Sequence, residues 1–413
     1  LEVPKSMPSV PGSVLAMKYL NAPAAPQARR EQKNRRPGLC HSPGGARARY
    51  ARDTMPNAAP LPPMPPARQA WAVCAGHFQP LHRHELALIQ TALRHAQRVV
   101  VVLAGAWLAR SPAHPLSWGE RADLIRASLP PREADRLRFL PLRELGDADR
   151  NAQALRDGVA RLSGEAPDTV LRVLPAGEPE AAWWQAMAAA PVLQAGTGEP
   201  GPWPDGAALR DLWFNADSPS RGLARLASQL TPDTLKALGD QVDTARYEAL
   251  RAEWRTLRQQ REAWAVAPYP PVFVTVDAVV RCAGHVLLIR RDRHPGAGLL
   301  ALPGGFLEQQ DTLLESALRE VQEETRLALP LADWRAALQG VAVFDAPGRS
   351  QRGRTITHAH FFDLGTRALP AVSGDDDARE ALWVAQQDLA GLEEQFFDDH
   401  FGVLDHFLHL LPA

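Results

Sequence analysis

The chain has 413 residues, long enough for two ordinary domains with further segments beside them. Its hydrophobic content of 45% and charged content of 23% are those of a globular protein, and a formal net charge of -1 supplies no global pull toward nucleic acid or membrane, so any phosphate recognition has to be local. Cys40, Cys74 and Cys282 lie far apart without a C-x-x-C pair, which suggests neither a disulfide framework nor a zinc site. No apolar run approaches the roughly 18 to 20 residues that span a bilayer, and the start lacks the order of a secretory signal. The expectation is a soluble, cytoplasmic protein with neither nucleic acid nor membrane as a partner.

Residues 1–67 are rich in Pro, Ala and Arg and show neither helical nor strand periodicity, so this tail is expected to be disordered. The chain begins with Leu, and Met55 and Met64 follow inside, so part of the tail reads as untranslated upstream sequence. Order is expected from Trp71-Ala72-Val73-Cys74-Ala75, an apolar strand, followed by a helical pattern through Leu86, Ile89 and Leu93 and a second strand from Arg98 to Gly105. Further strands are expected at Leu137–Leu140 and Val170–Leu174. Nearly continuous apolar strands alternating with helices indicate an α/β fold whose parallel sheet is covered on both faces, which makes 68–245 a Rossmann-like domain. Tyr247, Leu250, Trp254, Leu257 and Trp264 then fall at amphipathic helix spacing, and Pro268, Pro270 and Pro271 stop that helix. The reading is a linker helix over 246–267 and a second domain over 268–413, with strands at Val272–Val276 and Val286–Ile289 and a helix from Asp311 to Arg326.

That last helix carries the sharpest pattern in the sequence: Gly304-Gly305-Phe306, then Asp311, then Arg319-Glu320-Val321-Gln322-Glu323-Glu324-Thr325-Arg326-Leu327. At about 100° of rotation per residue, Leu314, Ala317, Leu318 and Val321 share one face, and Glu320, Glu323 and Glu324 crowd an arc roughly opposite. Three carboxylates so placed repel one another unless cations occupy the site, and hard oxygen ligands suit Mg²⁺ or Mn²⁺. The pattern resembles the Nudix box, G-x5-E-x7-R-E-U-x-E-E-x-G-U, with Asp311 in place of the first Glu and Arg326 in place of the closing Gly. The resemblance implies a C-terminal α/β/α Nudix sandwich, catalysis by Glu320, Glu323, Glu324, Arg319 and Asp311, and a cation held by the three glutamates with Gly304. In the family the first acid is mainly structural and is held by the box arginine, so Arg319 is expected to pair with Asp311.

Residues Tyr269–Asp277, Pro295-Gly296-x-Gly298 and Phe344–His358 resemble the Nudix half of bifunctional nicotinamide mononucleotide adenylyltransferase/ADP-ribose pyrophosphatases. Planar guanidinium groups suit phosphate oxygens, so Arg349, Arg352 and Arg354, with Gly305, are expected to bind a nucleotide diphosphate substrate. Asp375-Asp376-Asp377 before Trp383 reads as a solvated acidic turn or as a source of a further metal ligand or base.

Gly76-His77-Phe78-Gln79-Pro80-Leu81-His82-Arg83-His84-Glu85 resembles the G-R-F-Q-P-F-H-x-G-H segment of nucleotidyltransferases, whose two histidines face ATP phosphates at a helix N-terminus. His82 matches the first histidine, but Glu85 stands where the second belongs and His84 where its Gly belongs. Two like charges about 4 Å apart at an effective dielectric of about 20 repel by roughly 4 kcal/mol, so Glu85 is expected to oppose ATP. Pro115–Arg121 resembles the family's N-P-W-S-x-x-E-R segment. Of the family's S-A-T-x-I-R only Arg210 survives as a phosphate donor, Ala207 having none, and G-H-x-K-D-x-S-S-Y-Y is reduced to Gly177-Glu178-Pro179-Glu180 and Trp183-Trp184. The N-terminal domain, with Gly76, His82, Glu85 and Arg210, is therefore read as a degenerate adenylyltransferase. Gly196 to Gly201 formally matches G-x-G-x-x-G, but Pro200, Pro202 and Pro204 forbid the helix that a dinucleotide motif needs, so this is a loop.

The resemblance thus implies Mg²⁺-dependent hydrolysis of ADP-ribose to AMP and ribose 5-phosphate in NAD-related metabolism. Two alternatives stand beside it. One is a bifunctional enzyme that also joins nicotinamide mononucleotide to ATP, against which Glu85 and Ala207 speak. The other is a non-catalytic ADP-ribose sensor, which is expected to carry a C-terminal winged helix and a broken box.

Overall fold

The computed structural model describes residues 68–176, 182–196, 198 and 202–411, all within one compact unit, Pro65–Ala413. The N-terminal tail, the Gly177–Glu180 segment and part of the Gly196–Gly201 loop lie outside these residues.

The first sheet is fully parallel, formed by β1 (Gln69–Gly76), β2 (Ala96–Leu103), β3 (Leu137–Pro141), β4 (Leu171–Pro175) and β5 (Val192–Ala195) in the order β3-β2-β1-β4-β5. Val99 to Leu103 are buried without interruption, as expected for a strand covered on both faces. One face packs Leu88, Ile89 and Ala92 of the helix Arg83–His95 against Ala72, Cys74, Val99 and Val101. The other packs Leu155 and Val159 of the helix Ala148–Ser163 against Val73, Val100 and Val102. The chain runs outward from β1 through β2 to β3 and then returns to the far side of β1 as β4. This reversal opens a crevice at the strands' carboxyl ends, the usual ligand position in such sheets.

The linker helix Ala245–Trp264 is capped by Thr244 and buries Tyr247, Leu250, Trp254 and Leu257. The apolar spacing had marked this face, and its buried Glu253 is the exception. Trp264 is not part of it, being 45% exposed at the helix end.

The second sheet is mixed. Its main path runs β10 (Leu338–Phe344), β11 (Arg354–Asp363), β6 (Val272–Cys282), β7 (His285–Arg291) and β12 (Ala378–Ala385), with β8 (Leu300–Ala301) on β7 and β9 (Gly304–Phe306) on β6. Only β11 and β6 run parallel in it. Ala278, Val280 and Cys282 meet Val321 of the box helix Leu313–Thr325 on one face, and Val279 meets Phe401, Val403 and Leu404 of the last helix, His400–Leu408, on the other. The layers are those of an α/β/α sandwich. Buried Glu324 departs from the expected split between an apolar face and an acidic one, because it turns back toward the sheet.

Arg326, the residue that replaces Gly in the box pattern, closes this helix in the left-handed region with φ 58° and ψ 12°, and its amide donates to Gln322 O at 3.0 Å. A side chain there costs about 1 to 2 kcal/mol. Its ion pair with Asp375 joins two exposed groups and returns a fraction of that. Arg326→Gly is expected to raise stability by about 0.5 to 1 kcal/mol, read as an increase in the urea midpoint at constant m-value.

Candidate active site

Strand β9 lies antiparallel to β6 with Gly304 opposite Asp277 and Gly305 opposite Val276. A Cβ on Gly305 would collide with the Glu320 carboxylate, and one on Gly304 would collide with Val276 O and Asp277 Oδ1. Both glycines are needed for close approach, since neither has a positive φ. Gly304 N–H donates to Glu324 Oε2 at 2.9 Å, so the glycine strand and the acidic helix hold each other.

Arg319 sits among the acids, donating from Nε to Asp311 Oδ2 at 3.2 Å, from Nη1 to Glu323 Oε2 at 2.7 Å and from Nη2 to Glu320 Oε1 at 3.0 Å. The pairing expected of Arg319 with Asp311 is present, and Ser316 Oγ donates to the same Asp311 oxygen at 3.2 Å. Burial pushes Glu320 up to about 7, with Glu323 and Asp376 adding to the rise and Arg319 opposing it. Burial raises Glu324 well above the carboxylate range, assisted by Glu320 and Asp377 and opposed by the Gly304 N–H and Arg291. The acidic turn Asp375–Asp377 adjoins the box, since Asp375 N–H donates to Glu324 O at 3.2 Å. Among the described residues no three Asp, Glu, His or Cys side chains close around one point as metal ligands do. Arg319 draws Glu320 and Glu323 to itself while Glu324 is turned to Gly304.

The three arginines of the later run are not equivalent. Arg349 is almost wholly buried and forms a two-pronged pair with Asp399, at 2.9 and 2.7 Å. It was expected to face substrate, and the structure instead commits its guanidinium to Asp399. Arg354 donates to Asp345 O beside the turn. Arg352 donates only weakly, from Nε to Ser350 Oγ at 3.4 Å, and lies over the rings of Phe306 at 5.2 Å and Phe397 at 5.8 Å. Its terminal nitrogens carry no hydrogen bond among the described residues.

The motif reading missed the opposite wall. Phe397, Asp398, Asp399 and His400 each reach a different part of the site. Phe397 lies under the Arg291 guanidinium at 4.4 Å. Asp398 takes a positive φ of 43° and is held by Ser350, and burial pushes its carboxyl up to about 6 against the pull of Arg352. His400 Nδ1 accepts from Leu302 N–H at 2.9 Å, which leaves the ring proton on Nε2, 3.9 Å from Asp277 Oδ1. Asp277 accepts from Thr357 Oγ1 at 2.5 Å. The available signals were a charged residue inside an apolar strand, Asp277, and two acids plus a histidine following a Phe pair.

In the N-terminal domain, Glu85 is buried and points inward. Its carboxylate accepts from Phe78 N–H at 3.3 Å and His82 N–H at 3.2 Å, while His82 Nδ1 accepts from Glu85 N–H at 3.2 Å, closing a capping box at the helix start. Glu85 thus engages the loop amides that the motif would offer to phosphate, rather than facing an open phosphate site as expected. Gly76 lies against it, with a Cβ there 3.3 Å from Glu85 Oε1. Arg210 Nη1 donates to Gln79 O at 2.6 Å. His84 is buried beside Trp203, its ring nitrogens without hydrogen-bond partners among the described residues.

The NUDIX domain model matches residues 271–407. The chain is 33% identical over 133 residues to an ADP-ribose pyrophosphatase of Methanocaldococcus jannaschii, covering 32% of this chain and 72% of that protein. It is 30% identical over 142 residues to the ADPR-responsive transcriptional repressor NtrR of Acinetobacter baylyi, covering 33% of this chain and 53% of the repressor. A bifunctional NMN adenylyltransferase/ADP ribose pyrophosphatase of Francisella tularensis, solved also in complex with AMP and a manganese ion, superposes with a TM-score of 0.72 at 25% identity, over 83% of this chain and 99% of that one. Fold and site together define a Nudix hydrolase, and the chain belongs to the NUDIX family. Its N-terminal domain has the fold of the adenylyltransferase half of the Francisella enzyme.

Burial pushes Glu85 up to about 7, against the His82 and Phe78 amides and the charges of His77 and Arg121. A carboxyl with a raised folded pKa contributes stability that is complete below its unfolded value of 4.5 and is lost as pH rises through about 7. The melting temperature of the wild type relative to Glu85→Gln is therefore expected to fall between pH 5 and 8. A constant difference across that range would show that Glu85 is already charged in the folded protein.

Proposed function

We propose that this protein hydrolyses the diphosphate of ADP-ribose to AMP and ribose 5-phosphate with a divalent cation, Mg²⁺ or Mn²⁺, as a cytoplasmic enzyme of NAD-related metabolism. The observation that carries this reading is the crowd of acids on the box helix. Burial and mutual repulsion hold Glu320 and Glu324 above the carboxylate range, a state that a hard cation relieves. The donor set fits such an ion: Glu320, Glu323 and Glu324 hold it, beside Gly304, once it competes with Arg319 for two of them. When bound, the cation supplies Lewis acidity and neutralises charge on the diphosphate.

The remaining work falls to the chain's own groups. Arg352, with its terminal nitrogens free, takes phosphate oxygens and orients the diphosphate against the glycine strand at Gly305. Arg349, locked to Asp399, fixes the loop from which Arg352 projects. Arg354 borders the same turn. Asp398 offers a partly exposed carboxyl near Arg352 that can hold a proton close to neutral pH. Glu323→Gln and Glu324→Gln are each expected to lower turnover of ADP-ribose at least a hundredfold while melting temperatures stay close to wild type. Near-wild-type rates in both would sink the cation assignment. Tight binding of ADP-ribose by a wild type that does not cleave it would favour the sensor.

We also propose that the N-terminal domain makes no NAD. Its helix start is closed by Glu85, Arg210 is engaged by Gln79, and Ala207 has no side-chain donor. Purified protein is expected to form no NAD from ATP and nicotinamide mononucleotide. If the lost donors are the cause, the triple change Glu85→His, His84→Gly and Ala207→Thr restores binding of an ATP analogue in calorimetry. NAD formation by the wild type would refute the proposal.

A further inference from the structure

Phe273, Thr275 and Asp277 occupy alternate positions of β6, so their side chains share one face of the second sheet over roughly 13 Å of strand. The register adds Phe306 opposite Thr275, Gly304 opposite Asp277 and Thr355 beside Phe273. One end of this line is polar, where Asp277 meets Thr357 and the Arg349–Asp399 pair stands close by. The other end is aromatic. The Phe306 and Phe273 rings meet at 5.7 Å and 70°, and Phe273 meets Trp264, the last residue of the linker helix, at 5.3 Å and 69°.

This aromatic strip is built and yet left bare. Phe306 is 46% exposed, and Trp264 is exposed to nearly the same extent. Rings that served only to fill a core would be covered, since burial stabilises apolar area by about 25 cal/mol per Å². The loop that carries the arginines closes down on the strip at Gly353, whose φ of 142° favours glycine and where a Cβ would stand 3.2 Å from the Phe273 ring. The Arg352 guanidinium lies over Phe306, so a single side chain spans the aromatic end and the place proposed for the diphosphate. An amphiphilic ligand matches this gradient, with a flat π-system at one end and anionic oxygens at the other. Aromatic side chains accept nucleobases by stacking without regard to the base's hydrogen-bond pattern, and an adjacent arginine adds a cation–π component.

We propose that Trp264, Phe273 and Phe306 form a stacking platform for the nucleobase of the substrate, with Arg352 joining it to the diphosphate subsite. This subsite rests on the reading of the site as a nucleoside diphosphate hydrolase and assigns a polarity to it. The AMP half lies toward the linker helix, and the sugar phosphate half lies away from it. The junction helix therefore contributes Trp264 directly to substrate recognition.

The test uses the two expected products as separate probes on the full-length protein with Mg²⁺ present. Titration calorimetry is expected to show wild type binding AMP more tightly than ribose 5-phosphate. Phe306→Leu and Trp264→Leu are each expected to weaken AMP about tenfold while leaving ribose 5-phosphate within twofold. Trp264 lies outside the box strand, so its variant separates stacking from any disturbance of the glycines. The platform is overturned if wild type binds AMP no more tightly than ribose 5-phosphate. It is equally overturned if both variants keep AMP affinity, or if both probes weaken in parallel. Failure of the wild type to cleave ADP-ribose would count against the proposed function instead, because the AMP comparison does not depend on turnover.

Discussion

Negative charge that the fold itself cannot neutralise is the constraint around which the C-terminal domain is arranged. Glu320, Glu323 and Glu324 fall within five residues of one helix, and the sheet buries the last of them. One guanidinium, Arg319, is shared among Asp311, Glu320 and Glu323, and one backbone amide, that of Gly304, serves Glu324. That allotment orders the carboxylates without discharging them, and Asp376 and Asp377 add to the field. The glycines of β9 follow from the same requirement, because any side chain at Gly305 would fill the space that the Glu320 carboxylate occupies.

The N-terminal domain meets the complementary problem and solves it internally. A helix start at the carboxyl end of a parallel strand concentrates unpaired N–H groups and partial positive charge. Glu85 supplies the anion from within the chain, and its burial keeps its proton affinity high. The two domains therefore differ in where their balancing charge comes from. One contains its own counter-charge, and the other presents an excess that calls for a cation from outside.

The box helix was legible because its chemistry is local: the spacing of glycines, arginine and acids on a short segment fixes which groups share a face. The parallel strands were legible too, since Val99 to Val102 admit little else. The later strands β10 to β12 escaped because their alternation is diluted by exposed Val341 and Val343 and by polar Thr355 and Thr357. Long-range partners were out of reach for a different reason. Nothing near Arg349 in sequence distinguishes it from Arg352, and only the fold brings Asp399 to the first of them and leaves the second free. Glu85 was correctly singled out as the residue at odds with phosphate, but its orientation depended on amides of Phe78 and His82 that only the folded loop presents together.

The junction between the halves has a bearing on how such a chain can be divided. Arg143 binds Glu393 through two nitrogens, Arg150 binds Asp405 at 2.7 Å, and Glu253 of the linker helix accepts from Gly296 N–H at 3.1 Å. Asp405 is only 1% exposed and Glu253 is buried as well. Removing one member of such a pair strands the other, at a cost of roughly 3 to 5 kcal/mol for a buried ion pair. A hydrolase cut free of its N-terminal neighbour would keep Asp405 without its arginine and the Gly296 loop without its anchor. Loss of synthetic chemistry in the first domain therefore does not release the chain to shed it. The catalytic half has come to depend on the other as a source of counter-ions, and selection on hydrolysis alone is enough to keep both.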